Sequence, residues 1–334
     1  MTSGADSAGD SRPPAAGRAS AGRASAGRAP ASRTATRTPR ALSIAGSDSG
    51  GGAGVQADLK AFARCGVHGM TAITAITAQS TVGVRAIHPL PRSIVLEQVR
   101  AVLHDIGVDA VKVGMLGTRE AALAVADALD MLPAGTPVVV DPVMIAESGA
   151  ALGDDDAIGA LIEHVLPRAT VTTPNLPEAH VLAAAARARD GGSRGGDEGS
   201  RGRDEGDGGC AEAPDGDARE RDENQRLLEA ILRLGPRAVL VTGGHRQHAV
   251  DLLLRAGARE PLVEIPGPRH PGDAAHGSGC THSSALAAGL ARGYDLHEAA
   301  RFARTVAAEA VRDGLRDVGD GPGPVDALGI ARRR

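Results

Sequence analysis

Aromatic residues are nearly missing from this chain of 334 residues: it has no Trp, and Tyr294, Phe62 and Phe302 are the whole set. That argues against a protein that stacks bases on aromatic platforms, and it leaves Ala, Val, Leu and Ile to build the core. Lysine is almost as rare, with Lys60 and Lys112 alone against abundant Arg. Cysteine is limited to Cys65, Cys210 and Cys280. An odd, widely spaced set is a poor disulfide framework and has no paired CxxC for zinc, so a reducing compartment is the simpler reading. No large charge excess exists either: a formal net charge of −4 gives no whole-chain reason to bind nucleic acid. No apolar run reaches the roughly 18–20 residues of a membrane span, and the N-terminal stretch lacks the apolar core of a secretory signal. The expectation is a cytoplasmic protein with neither membrane nor nucleic-acid partners.

Two segments have almost nothing to bury. Residues 1–40 are Ala, Gly, Ser, Arg and Pro, with AGRAS repeated from Ala16 and a charge of +5; this reads as a disordered tail. From about Arg187 to Asn224, twelve acids and seven Arg among many glycines read as a disordered, solvated insertion, without the ligand alternation of a calcium loop. What remains, over 41–328, is expected to be one domain. Short β-branched runs at Ala41–Ala45, Thr71–Ile76, Ala110–Val113, Pro137–Asp141, Val171–Thr173 and Ala238–Thr242 read as buried strands. Amphipathic stretches near 54–65, 93–106, 118–130, 155–165 and 177–186 lie between them. This alternation predicts an α/β fold with a mostly parallel sheet and helices on both faces. Val250–Leu254 and Leu262–Ile265 are expected as a hairpin-like pair at one edge, before two closing helices at about 279–292 and 296–314. Ligands of such sheets sit beyond the carboxyl ends of the strands.

The polar motifs fall at those ends. Ala45 to Asp58, AGSDSGGGAGVQAD, puts five glycines between a strand and a helix, letting backbone approach a ligand at a helix N-terminus. Part of it matches the dinucleotide fingerprint, which would suggest a nicotinamide-dependent dehydrogenase. The acid required about 20 residues on is missing from Thr71–Thr77, which disfavours that class. Gln79 offers a donor and an acceptor side by side, suited to a ring nitrogen with an adjacent amine, or simply an exposed amide. Asp141 follows a strand, where it either steers magnesium or phosphate or caps a turn. Asn175 and Glu178, spaced i,i+3 at a helix start, either share a face that suits Mg²⁺ or serve the helix dipole. His276-Gly277-Ser278-Gly279-Cys280-Thr281 leads into a helix, and its amides suit a transferring phosphoryl group. Cys280 is either a small helix-start filler or a ligand-facing thiol whose pKa the helix N-terminus would lower.

In their order and spacing, AGSDSGGGAGVQAD, TAQST, KVGML, DPVM, TPNLPEA, TGGH and HGSGCT resemble the hydroxymethylpyrimidine/phosphomethylpyrimidine kinases of thiamine biosynthesis, over roughly 41–186 and 225–325. The resemblance implies a three-layer ribokinase-like fold. It implies two ATP-dependent steps, from 4-amino-5-hydroxymethyl-2-methylpyrimidine to its monophosphate and then its diphosphate. Gln79 would hydrogen-bond the pyrimidine edge, while Gly46, Ala53, Met115 and Val143 wall the ring. Gly277, Ser278, Gly279 and Cys280 would form an anion hole, with Cys280 or Asp58 as base. Thr242, Gly244 and Asn175 would meet ATP, and Glu178, Asn175 and Asp141 would hold Mg²⁺ and its waters. A homodimer is compatible with this reading. Thr242 stands where the family often has Lys before Gly-Gly-His, which removes an expected cationic contact to ATP. Asp273-Ala274-Ala275 stands before His276 where Asn-Thr or Asp-Thr is more usual. A pyridoxal or pyridoxine kinase is the nearest alternative, and a catalytically reduced binding protein a further one.

Overall fold

The computed structural model describes residues 37–144, 153–192, 216–243, 249–257, 262–270 and 274–333. Thr38–Arg334 form one compact unit. Its frame follows from the short β-branched runs: β1 (Arg40–Ala45), β2 (His68–Ile73), β5 (Ala110–Val113), β6 (Val138–Val140), β7 (Val171–Thr172) and β8 (Ala238–Val241) pair in parallel. Two further strands, β9 (Val250–Arg255) and β10 (Val263–Pro266), add antiparallel at the β8 edge, giving the order β10-β9-β8-β7-β6-β5-β1-β2.

Alternation along the strands divides the core in two. Leu42, Ile44, Val138, Val140, Val239, Val241, Leu252 and Leu254 pack with α2 (Arg92–Asp105), α3 (Arg119–Asp130), α5 (Leu176–Gly192) and α6 (Gly216–Leu232). Ala41, Val139, Ala238, Leu240 and Leu253 pack with α1 (Gly54–Arg64), α7 (Ser278–Ala291) and α8 (Leu296–Arg312). Successive side chains of a strand point to opposite faces, so a sheet apolar on both must carry helices on both. The result is the three-layer ribokinase-like architecture. A short helix, α4 (Asp155–Ala160), continues through a π turn at Leu161–Val165 and a 3-10 turn at Leu166–Arg168.

Two expectations need correction. The single strand expected over Thr71–Ile76 is broken at Thr74, whose N–H donates to Ala45 O and whose hydroxyl donates to Met115 O. Those bonds turn the chain out of the sheet. Beyond them, β3 (Ala75–Ser80) and β4 (Gly83–Pro89) form a separate antiparallel ribbon. Most of β4 is exposed, so no apolar period marks it in the sequence. The range expected for the insertion, 187–224, also overlaps helix at both its ends. α5 runs to Gly192 and α6 begins at Gly216; α6 buries Leu227, Leu228 and Ile231 only near its end, which leaves its polar beginning without an apolar signature. Residues 1–36, 193–215 and 244–248 lie outside the described residues.

Candidate active site

The carboxyl ends of β1, β5, β6, β7 and β8 open into a cavity of about 400 Å³, within the usual range for small-molecule sites. The glycine-rich loop between β1 and α1 forms one wall. Asp48, almost fully buried, shapes it by accepting the N–H groups of Gly50 (2.8 Å), Gly52 (2.9 Å) and Ala53 (2.7 Å). Burial alone would raise its pKa, but the bond from His276 and the amides of Ala53 and Gly50 pull it below the usual carboxylate value. Gly54 has a φ of +56°, and a Cβ there would crowd Gly46 O at 2.5 Å. Only glycine suits both constraints.

At one end of the cavity stand the residues expected to hold a ring. Gly46, Ala53, Gln79, Met115 and Val143 all line it. Met115 and Ala75 form a small apolar cluster with Val84 and Val143. Gln79 sits at a bulge in the β3–β4 ribbon. Its backbone is fixed by Ser49, whose hydroxyl donates to Gln79 O (2.6 Å) and accepts from Gln79 N (2.9 Å). Its side-chain oxygen accepts from the Thr77 hydroxyl at 3.3 Å.

At the middle of the cavity, α7 begins behind Gly277, whose φ is +82°. A Cβ on Gly277 would overlap the carbonyl oxygen of Gly52, whereas one on Gly279 would meet nothing within 4 Å. The N–H of Ser278 is taken by Ala275 O, so of the expected amide cradle Ser278 has its donor committed. First-turn amides such as those of Gly279 and Cys280 have no intrahelical acceptor. Cys280 is half-buried and lines the cavity. Its thiol is raised rather than lowered: burial pushes it up to about 12, and the carboxylates of Asp58 and Asp141 add to that, against Lys112 and the Gly54 amide.

Asp58 does not reach the cavity. It is 0 % exposed and accepts from Ser43 Oγ (2.5 Å), Ser284 Oγ (2.7 Å) and Lys112 Nζ (3.0 Å). Its expected role as an alternative base is therefore corrected: it is the buried partner of Lys112. That lysine, marked in the sequence by its rarity and as the first residue of KVGML but given no role there, lies beneath the cavity, fully buried, and its Nζ is also 3.9 Å from Asp141. Burial would lower its pKa, but Asp58, Cys280 and Asp141 together hold it above the usual lysine value. No sequence period could reveal it, because β5 reads AVKV and is buried at every position.

Asp141 accepts from Ser283 Oγ at 2.9 Å; burial and the charge of Asp58 keep its pKa raised despite Lys112 and Ser283. Glu178 faces the same cavity. Its pKa rises to about 8, from burial first and then the charge of Asp141, against the amides of Asn175 and Met144. Asn175 and Glu178 also cap α5 reciprocally: Glu178 N–H donates to Asn175 Oδ1 (2.9 Å) and Asn175 N–H to Glu178 Oε2 (3.0 Å). Both roles weighed for Glu178 are thus geometrically compatible, while the Asn175 side-chain oxygen is engaged in the cap. Thr242 lines the far end of the cavity with Ala249, Arg304 and Ala308; Gly244 lies outside the described residues. Beneath it, Asp251 joins Gly243 N–H (2.8 Å) to His282 Nε2 (2.9 Å), a contact between distant segments that no local motif announced.

A ribokinase-like sheet with a glycine-rich loop, two cavity carboxylates and a glycine-led helix start at its carboxyl edge defines a small-molecule kinase. The family model described as phosphomethylpyrimidine kinase matches residues 48–192 and 213–326, and the chain belongs to that family. It is 45% identical over 291 residues to the hydroxymethylpyrimidine/phosphomethylpyrimidine kinase of Rhizobium meliloti, covering 86% of this chain and 96% of that one. Among solved structures, the phosphomethylpyrimidine kinase of Clostridium difficile superposes with a TM-score of 0.62 at 36% identity, covering 81% of this chain and 99% of that one. The pyridoxal kinase of Staphylococcus aureus, in complex with AMP-PCP and pyridoxal, gives 0.69 at 30% identity, covering 89% and 96%. The protein is a phosphotransferase, and the dehydrogenase reading falls. Among the described residues, no helix is long and apolar enough to cross a membrane.

Proposed function

We propose that this kinase phosphorylates 4-amino-5-hydroxymethyl-2-methylpyrimidine with ATP, and then its monophosphate with a second ATP, in thiamine biosynthesis. The observation that carries the reading is that one cavity is lined together by the amide of Gln79, the apolar side chains of Met115 and Val143, and the glycine-led start of α7. A ring held against Met115 with its polar edge on Gln79 directs its hydroxymethyl arm toward Gly279 and Cys280. ATP would occupy the part lined by Asn175, Thr242, Ala249 and Ala308, its terminal phosphate facing the free amides of the α7 first turn.

Asp141 and Glu178 fit a divalent cation such as Mg²⁺. Both are buried, and the charge of Asp141 disfavours ionisation of Glu178; a cation relieves that repulsion. Among the described residues no three His, Cys, Asp or Glu side chains gather as a metal cage, which accords with the preference of Mg²⁺ for one or two carboxylates completed by waters and phosphates. When bound, it supplies positive charge to the phosphates. Lys112 supplies the same sign from below. Transfer forms a bond from the hydroxymethyl oxygen to the γ-phosphorus as the bond to ADP breaks, and such loose transition states depend mainly on positioning and charge. Cys280 is the remaining side-chain candidate to take the hydroxyl proton, provided ligand charge first draws out its thiolate. A homodimer remains part of the proposal; exposed Ile76, Val82 and Ile87 on the β3–β4 ribbon offer apolar surface for a second copy.

The test is turnover of ATP with the hydroxymethylpyrimidine, its monophosphate and pyridoxal side by side. The proposal expects the two pyrimidines to be preferred in kcat/KM; a preference for pyridoxal would overturn it.

A further inference from the structure

His276 stands where three segments meet. Its Nε2 lies 3.1 Å from Asp48 Oδ2, with the imidazole and the carboxylate both buried. The same carboxylate oxygen receives the amides of Gly52 and Ala53. Gly52 runs so close beneath the ring that a Cβ there would overlap His276 Cδ2 and come 3.1 Å from Pro324 Cβ. The carbonyl of Gly52 in turn packs on Gly277, the residue that starts α7. The backbone of His276 is clamped from the other side: its N–H donates to Gly323 O (3.4 Å), and its carbonyl accepts from Val325 N (3.0 Å). That C-terminal segment also reaches the ribbon carrying Gln79, through Gly321 N–H to Thr81 Oγ1 at 3.3 Å. His276 therefore has a fixed backbone beside the α7 start and one side-chain bond into the ring-side loop.

We infer that His276, acting through Asp48, is a positioning residue that fixes the distance between the ring-binding loop and the first turn of α7, so that hydroxyl and phosphoryl group meet. The inference rests on the kinase reading of the cavity. A group of this kind contributes to transfer more than to the binding of either substrate. Its loss removes an alignment realised in the transition state, and such misalignment costs up to about 100-fold in rate.

His276→Leu keeps the bulk and removes the bond, whereas the Nε2 of His276→Gln can still reach Asp48. His276→Leu is expected to lower kcat by about 10- to 100-fold with little change in KM for ATP or acceptor, and His276→Gln to recover most of the rate. The double variant with Asp48→Asn should be no slower than the slower single variant, since the two residues act as one unit. A second readout does not depend on the acceptor's identity. Amide hydrogen exchange at Gly50–Ala53, whose N–H groups are held by Asp48, and at Thr281, whose N–H donates to Gly277 O, should accelerate together in His276→Leu and remain slow in His276→Gln. A wild-type enzyme that ignores the pyrimidine would sink the proposed function while leaving this exchange test intact. Unchanged kcat, a loss confined to KM, or exchange that rises in one loop only would overturn the inference. If His276→Leu does not fold, Asp48→Asn carries the same measurements.

Discussion

Each of three side chains in the cavity makes a separate prediction. Gln79 is held by its backbone to Ser49, so Gln79→Met changes recognition without unpinning the ribbon. Pyrimidine binding should weaken by about 1–3 kcal/mol, the usual cost of leaving a polar group unpaired, with the KM for ATP unmoved; an unchanged pyrimidine KM would show that Gln79 does not read the ring. Glu178 has a folded pKa raised to about 8, so the folded chain binds more protons than the unfolded one between the ordinary glutamate range and that value. Stability then falls as pH rises through this window. Glu178→Gln keeps the cap acceptor and should flatten that fall in a series of melting temperatures. It should also lose most of the stabilisation that Mg²⁺ gives the wild type at pH 8, together with most activity. Cys280, with a thiol near 12, is protonated at neutral pH in the free enzyme. If it is the base, kcat/KM should climb steadily from pH 6 to 9, and Cys280→Ala should lower kcat by about 10²–10⁴-fold and flatten the profile. A flat wild-type profile with an active alanine variant would leave transfer to positioning and charge alone.

At the scale of the element, the start of α7 separates folding from chemistry within three residues. Gly277 must be glycine for the backbone: its φ is +82°, and a side chain would collide with Gly52. Gly279 has open space around it. Gly277→Ala should therefore lower the melting temperature and abolish activity together, since strain at positive φ typically costs about 1–3 kcal/mol before any clash is counted. Gly279→Val should melt near the wild type and yet lose about 10²–10³-fold in kcat, if the space it fills belongs to the phosphoryl group and its amide is displaced. Equal melting losses for the two variants would contradict this division. Contrast α8, whose Asp295–Glu298 capping box faces away from the chemistry and serves the helix alone.

For the whole molecule, the sheet and its two helical layers carry the site, and the segment joining α5 to α6 is expected to be dispensable. Deleting 194–214 and joining the ends should change melting temperature and turnover little, because loop closure depends only weakly on length and the α5–α6 contact rests on buried Leu182, Ala186, Leu228 and Ile231. A collapse of kcat would show the segment to be part of the catalytic machinery. By itself, the sequence determined the parallel core, since runs such as Val138–Val140 are apolar at every position and can only be buried on both faces. It likewise marked the glycine loops and polar residues at the strand ends, because turns of that kind need glycine whatever surrounds them. Only the tertiary structure decided that Asp58 is the partner of Lys112, that the Cys280 thiol is raised, that Thr74 turns the chain into a separate ribbon, and that His276 reaches Asp48. Each of these depends on residues far apart in the chain, from Asp58 and Lys112 to Asp48 and His276, and on the desolvation their contact imposes. No local period or spacing encodes such a meeting.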